Sequence, residues 1–217
     1  MAPRAAGPGT ARGRFITLEG GEGAGKTTLA RTLAAMLAEA GLPVLRTREP
    51  GGAPGAEALR KLILGQGPWD PMAEAMLHFA ARREHVARSL EPALAAGVWV
   101  VCDRFADSTL AYQGAGQGLS RDAWERLCDL ALGSLRPDLT LMLDLPVERG
   151  MDRALSRGDA NRYEMQGDEF HARVRAAFLD IAGREPGRCA VLDASRPVAQ
   201  VLELARGAIH GRLGFAL

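Results

Sequence analysis

The stretch Gly20-Gly21-Glu22-Gly23-Ala24-Gly25-Lys26-Thr27 constrains this chain more than any other part of it. It is a complete G-x-x-x-x-G-K-[ST] pattern. A short apolar, β-branched run at residues 15–18 precedes it, and a helical pattern opening at Thr28-Leu29-Ala30 follows. Between a strand and a helix, such glycines let backbone N–H groups curl around phosphates at the helix N-terminus. Lys26 then supplies a mobile point charge for β- and γ-phosphates, and the Thr27 hydroxyl supplies a ligand for Mg²⁺. The loop therefore implies a nucleoside triphosphate. It also implies a parallel α/β sheet, because such sheets bind ligands beyond the carboxyl ends of their strands. Of 27 basic residues only Lys26 and Lys61 are lysines, so one of the two stands where the loop needs a slender cation.

The rest of the chain agrees with that fold class. Apolar runs at 15–18, 44–46, 98–102, 140–143 and 190–192 alternate with helical patterns, which predicts an α/β three-layer sandwich with a parallel sheet. Leu29, Leu33, Met36 and Leu37 form one helix face, closed by Gly41 and Pro43. Residues 71–96 read as a long helix that Pro92 should bend near Glu91. Ser120 caps a further helix with Leu127 and Leu130 on its face, and helices over 168–183 and 197–211 complete the set. The reading is one domain, 13–217, after a disordered tail, 1–12, that lacks the apolar core of a secretory signal.

Bulk properties exclude several classes of function. A net charge of +1 gives no global field for nucleic acid or membrane, and no apolar run approaches the ~20 residues of a membrane span. Cys102, Cys128 and Cys189 lack C-x-x-C spacing and read as reduced core residues of a cytoplasmic protein.

Three more stretches carry chemistry. The run at 98–102 ends in Asp103-Arg104, and a carboxylate at a buried strand's end suits a second Mg²⁺ contact, directly or through water. An ordinary surface ion pair accounts for a lone Asp-Arg, but less well where a phosphate loop occupies the same sheet edge. Ser108, Thr109, Tyr112 and Gln113 share a face if 105–114 is helical, offering donors and acceptors to a base edge. Thr47-Arg48-Glu49-Pro50-Gly51-Gly52 is a loop after the second strand, placing Arg48 and Glu49 at a strand end. Finally Arg149, Arg153 and Arg157 fall at i, i+4 and i+8, with Arg162 following. Both a solvated helix face and a mobile lid of about 149–166, carrying guanidinium groups to a phosphate, fit this segment.

In this order, the phosphate loop, TREPGG, DRF with Ser108, AYQG and the arginine segment resemble the bacterial thymidylate kinases from Arg14 onward. The resemblance implies a nucleoside-monophosphate-kinase fold with a five-stranded parallel sheet, Mg²⁺-ATP as donor, dTMP as acceptor and a homodimer. It implies Glu22 at the deoxyribose 3′-hydroxyl and Arg104 at the dTMP phosphate. Arg48 and Glu49 should line the acceptor side, with Ser108, Thr109, Tyr112 and Gln113 around the nucleoside. One division of the family carries an arginine inside the phosphate loop where this chain has Gly23. The resemblance is thus to the other division, whose lid supplies the catalytic arginines, here Arg153, Arg157 and Arg162. The family places a base-stacking aromatic one helical turn before a thymine-binding arginine. Phe79 with Arg82 is the choice here, and His78 is the alternative. Where the lid commonly has Asp-Arg this chain has Asn161-Arg162. Two other readings compete, a different small-molecule or nucleotide kinase of the same fold and a regulatory P-loop NTPase. The TREPGG and AYQG stretches weigh against both.

Overall fold

A computed structural model of the chain describes residues 12–65, 67–156, 158 and 162–217. Its centre is a five-stranded sheet in the order β2-β3-β1-β4-β5, every pair parallel. The strands are β1 (Phe15–Gly20), β2 (Val44–Arg48), β3 (Trp99–Asp103), β4 (Leu139–Asp144) and β5 (Cys189–Asp193). Each extends beyond the apolar run that announced it, most often into polar residues at its carboxyl end. Helices α1 (Lys26–Glu39), α2 (Pro54–Gly65), α3 (Pro71–His85), α4 (Glu91–Ala95), α5 (Ala106–Thr109), α6 (Arg121–Leu132), α7 (Val147–Leu155), α8 (Asp168–Arg184) and α9 (Val198–Leu213) fill the connections.

The period-2 alternation of β1 divides the core. Ile16 and Leu18 face Leu29, Leu33 and Leu37 of α1 and Val201, Ala205 and Ile209 of α9. On the other face Phe15 packs with Phe79, Val86, Leu90, Phe105 and Cys128. A third cluster joins Met142 to Tyr112, Phe170, Val174 and Phe178. Layers of helix on both faces of a buried parallel sheet are the arrangement that such near-continuous apolar strands require.

Pro92 acts as expected in its neighbourhood. Helix α3 ends at His85, a π-helical turn spans Val86–Leu90, and α4 starts with the proline in its first turn. Ser120 accepts the Ala123 N–H at 3.2 Å and caps α6. The α6 face needs correction, because Leu130 is exposed and Cys128, Ala131 and Leu132 are buried instead.

Register decides where chemistry gathers. Asp103 of β3 pairs with Leu18 of β1 on one side and Arg48 of β2 on the other, while Gly20 pairs with Leu143. The phosphate loop, the 47–52 loop and the 103–108 turn therefore leave the sheet at one edge.

Candidate active site

From β1 the chain turns through residues 21–25 into α1. Gly25, in a left-handed conformation at φ 93°, is the N-cap, and no side chain caps this helix. The N–H groups of its first turn thus lack the usual side-chain acceptor and present a positive end for an anion. Lys26 folds back over the loop, its Nζ donating to Gly20 O at 3.0 Å and Gly21 O at 2.5 Å. Burial, then the Arg104 charge, lowers its pKa to about 8, although Glu22, Asp103 and Glu19 oppose the shift. Gly23 also has a positive φ of 66°, and a Cβ there would collide with the Gly150 carbonyl of α7. An arginine cannot occupy this position without displacing α7, so an arginine that meets a phosphate here must come from another element.

Thr27 Oγ1 donates to Asp103 Oδ2 at 2.5 Å. A hydroxyl and a carboxylate side by side beneath the loop form the hard oxygen donor set that Mg²⁺ takes. Among the described residues no group of three or more His, Cys, Asp or Glu side chains is placed to hold a metal ion by itself.

Arg104 is the single described non-glycine residue with positive φ, 70°. Left-handed backbone costs an ordinary residue roughly 1–2 kcal/mol, and buried Glu19 supplies the compensation. Its Oε1 accepts the N–H groups of Phe105 at 2.7 Å and Ser108 at 3.3 Å, and its Oε2 accepts the Ser108 hydroxyl at 2.6 Å. Burial and the nearby Asp107 carboxylate push Glu19 up to about 7, with those hydrogen bonds and Arg104 acting against them. The turn aims the Arg104 guanidinium at the phosphate loop. It donates to Glu22 Oε1 at 2.8 Å, to Gly20 O at 3.2 Å and to Ser108 Oγ at 3.3 Å, and lies 4.9 Å over the Tyr112 ring. Burial alone would raise the Glu22 pKa, yet Arg104, Lys26 and the Tyr112 hydroxyl bring it down to about 2.

The wall farther from the phosphate loop is built around Arg82. This buried guanidinium donates to Glu49 Oε2 at 2.7 Å, Phe105 O at 2.9 Å and Thr109 Oγ1 at 3.2 Å. Glu49 also meets His85 Nδ1 at 2.9 Å, so its carboxylate orients Arg82 within the wall. Arg48 is directed to Glu57 at 3.0 Å. Gln113 donates to Glu74 at 2.6 Å.

A cleft of about 660 Å³ runs from the phosphate loop past Asp103 and Arg104 to His78, Arg82 and Gln113. It brings together the expected residues Glu22, Lys26, Thr27, Arg48, Glu49, Arg82, Ser108, Thr109, Tyr112 and Arg153. Phe79 is corrected. Its ring is in the core beneath Arg82, 4.6 Å from the guanidinium carbon, and it is the neighbouring His78 that lines the cleft. Burial, then Arg82, Arg162 and Arg104, lowers His78 to about 3, so the imidazole is neutral. The arginine segment divides. Arg153 lines the cleft and donates to Ala194 O at 3.3 Å, whereas Arg162 turns away to Ile63 O at 2.9 Å and Glu74 Oε2 at 2.6 Å. Arg157 lies outside the described residues. Arg60, Tyr163 and Arg196 line the cleft as well and were not foreseen. Arg60 had a signal, since it sits one helix after the TREPGG loop and donates to Pro50 O at 2.7 Å within it.

A parallel sheet of this order, an uncapped glycine-rich helix start with its lysine, and an arginine-walled acceptor cleft define a phosphate-loop nucleotide kinase. Sequence relatives narrow this class to one family. Residues 18–205 match the family described as thymidylate kinase. A thymidylate kinase of Caulobacter vibrioides is 50% identical over 205 residues, covering 94% of this chain and 99% of the relative. One from Pseudomonas entomophila is 52% identical over 192 residues, 87% and 91% of the two chains. The crystal structure of thymidylate kinase from Ehrlichia chaffeensis superposes with a TM-score of 0.74 at 34% identity, covering 89% of this chain and 97% of that one. The chain belongs to the thymidylate kinase family.

Proposed function

We propose the following division of labour for this dTMP kinase, which moves the γ-phosphoryl group of ATP to dTMP. The triphosphate lies on the N–H groups of residues 20–27, with Lys26 released from Gly20 and Gly21 to meet the β- and γ-phosphates. Thr27 and Asp103 would hold Mg²⁺, which when bound neutralises phosphate charge. Arg48 and Arg104 take the dTMP phosphate and Glu22 the 3′-hydroxyl. Arg82, Thr109 and Gln113 bound the base, and His78 stands at its face.

The bond from the γ-phosphorus to the β,γ-bridging oxygen breaks as one forms to a 5′-phosphate oxygen of dTMP. ADP leaves with the bridging oxygen. The acceptor oxygen is already ionised, so no general base is needed, and the residues act by alignment and charge stabilisation. Arg153 comes to the transferring group from the α7 side, where Gly23 leaves room for no arginine of the loop. Arg157 and Arg162 join it if the segment closes. The observation that carries this reading is the single cleft holding Lys26, Thr27, Asp103 and Arg104 at one end and Arg82 at the other.

The active form is a homodimer in the cytoplasm, formed from one domain, 13–217, with no nucleic-acid or membrane partner; residues 1–11 of the expected tail lie outside the described residues. Exposed Met72 and Met76 on α3, and Leu130 on α6, support a dimer face. No described helix is long and apolar enough to cross a membrane. An ADP-release assay over a panel of nucleoside monophosphates tests the substrate assignment. It should show dTMP preferred, and an equal rate with another acceptor would overturn it.

A further inference from the structure

Gly150 lies in the interior of α7, where glycine is the poorest residue short of proline. A close approach explains it. Helix α7 is seated on the phosphate loop, backbone against backbone. A Cβ on Gly150 would stand 2.6 Å from the Glu22 carbonyl oxygen, and one on Gly23 would overlap the Gly150 carbonyl oxygen. Neither obstacle is a flexible side chain, so neither can swing aside. Gly150 is buried, as is Ala154 one turn further on, so small residues line the seam. Arg153 stands three residues after Gly150, on the same side of the helix, and lines the cleft. Arg149 donates to Ser195 O at 3.2 Å and Arg153 to Ala194 O at 3.3 Å, so α7 bridges the phosphate loop and the turn after β5.

We propose that Gly150 is a positioning residue for phosphoryl transfer. Its missing side chain lets α7 rest directly on residues 22 and 23, and that contact fixes how far the Arg153 guanidinium stands from the γ-phosphate. A phosphate oxygen is a stronger acceptor for a guanidinium than a neutral carbonyl. Arg153 therefore exchanges Ala194 O for the transferring group while the glycine contact stays in place. The loop that holds the donor thus sets the position of the arginine that acts on it. The proposal rests on the reading of Arg153 at the transferring group.

The test uses Gly150→Ala, which adds one methyl group and favours the helix. That methyl has to retreat from 2.6 Å to about 3.4 Å from Glu22 O, where ordinary contact begins, and it carries α7 with it. A misplacement approaching 1 Å can cost ~10²-fold in rate. Single-turnover transfer should slow by about that factor, while the KM values for ATP and dTMP change by less than about threefold. In an Arg153→Ala background the same substitution should slow transfer no further. Gly23→Ala crowds the same contact from the loop side, and it takes the place of Gly150→Ala in this comparison if that variant does not fold. An unchanged single-turnover rate, or the same loss with and without Arg153, would overturn the proposal while leaving Arg153 in its role. A loss confined to the KM for ATP would also overturn it, because the methyl group would then displace the loop instead of α7. Full activity in Arg153→Ala alone would overturn both the proposal and the reading beneath it.

Discussion

Arg104 Nη2 lies 2.8 Å from Glu22 Oε1, joining the turn after β3 to the centre of the phosphate loop across 82 residues of sequence. The pair is largely buried, and Tyr112 donates to the same carboxylate oxygen at 2.8 Å. The residues proposed for the dTMP phosphate and its 3′-hydroxyl are thus held in contact with each other. Glu22→Gln removes the charge and keeps an acceptor, a loss of roughly 1–2 kcal/mol in a charge-assisted hydrogen bond. The expected result is a larger fall in kcat/KM for dTMP than for its 3′-deoxy analogue. Equal falls for both would remove Glu22 from sugar recognition.

The same carboxylate predicts an acid limit. Its pKa is depressed from 4.5 to about 2, so the ionised form stabilises the fold above pH 4.5, and that contribution disappears as pH falls toward 2. Glu19 has the opposite sign. Its pKa is raised from 4.5 to about 7, so ionisation costs the folded state stability as pH rises through that interval. Denaturant melts of the ligand-free protein should show Glu19→Gln flattening the profile between pH 4.5 and 7, and Glu22→Gln flattening it below 4.5. A profile that responds to neither substitution contradicts both assignments.

Lys26 should report its ligand through protons. With its pKa lowered to about 8, much of the side chain is neutral at pH 8.5 in the empty protein. Phosphate charge favours the ammonium form. Calorimetric titration with ATP at pH 8.5, in buffers of different ionisation enthalpy, should reveal uptake of a fraction of a proton. Lys26→Ala should abolish both that uptake and phosphoryl transfer while remaining folded.

Arg153→Ala should reduce kcat far more than it raises the KM for dTMP. A guanidinium that meets charge spreading over the transferring group acts in the transition state, and such arginines are worth ~10³-fold or more. Single-turnover rates decide this, and an unchanged chemical step would return Arg153 to its contact with Ala194 O alone. Arg157→Ala is the companion variant and should behave alike.

Phe79→Leu and His78→Ala should separate cleanly. The Phe79 ring supports Arg82 from inside the core, and shrinking it leaves space that destabilises by about 1–3 kcal/mol. Removing the His78 ring should instead raise the KM for dTMP with little change in melting temperature. The reverse pattern would restore Phe79 as the stacking residue.

The choice between these two neighbours shows what the sequence could not provide. Residues three and four before Arg82 both lie on its side of a helix, and spacing cannot say which one faces the sheet and which the cleft. Strand ends were hidden for a related reason. Apolar runs stop where Glu19, Thr47, Arg48 and Asp103 begin, yet the parallel ladder continues through them because the backbone pairs regardless of side chain. The phosphate loop and the DRF turn were legible because their chemistry depends on local order. Arg162 was not, since a run of arginines does not reveal that a buried Glu74 from a distant helix captures one of them.

Asp103 pairs with Leu18 on one side and Arg48 on the other, so the donor and acceptor loops leave strands that flank a common neighbour. Adjacent strands lie about 4.8 Å apart, which sets these two exits ~10 Å from each other. The sheet thereby works as a ruler. Whatever the loops and helices do, the origin of the donor site and the origin of the acceptor site are spaced by backbone hydrogen bonds alone. One residue inserted into β3 would shift Asp103 along its strand, out of register with both exits at once, whereas the same insertion in a peripheral helix would leave that register untouched.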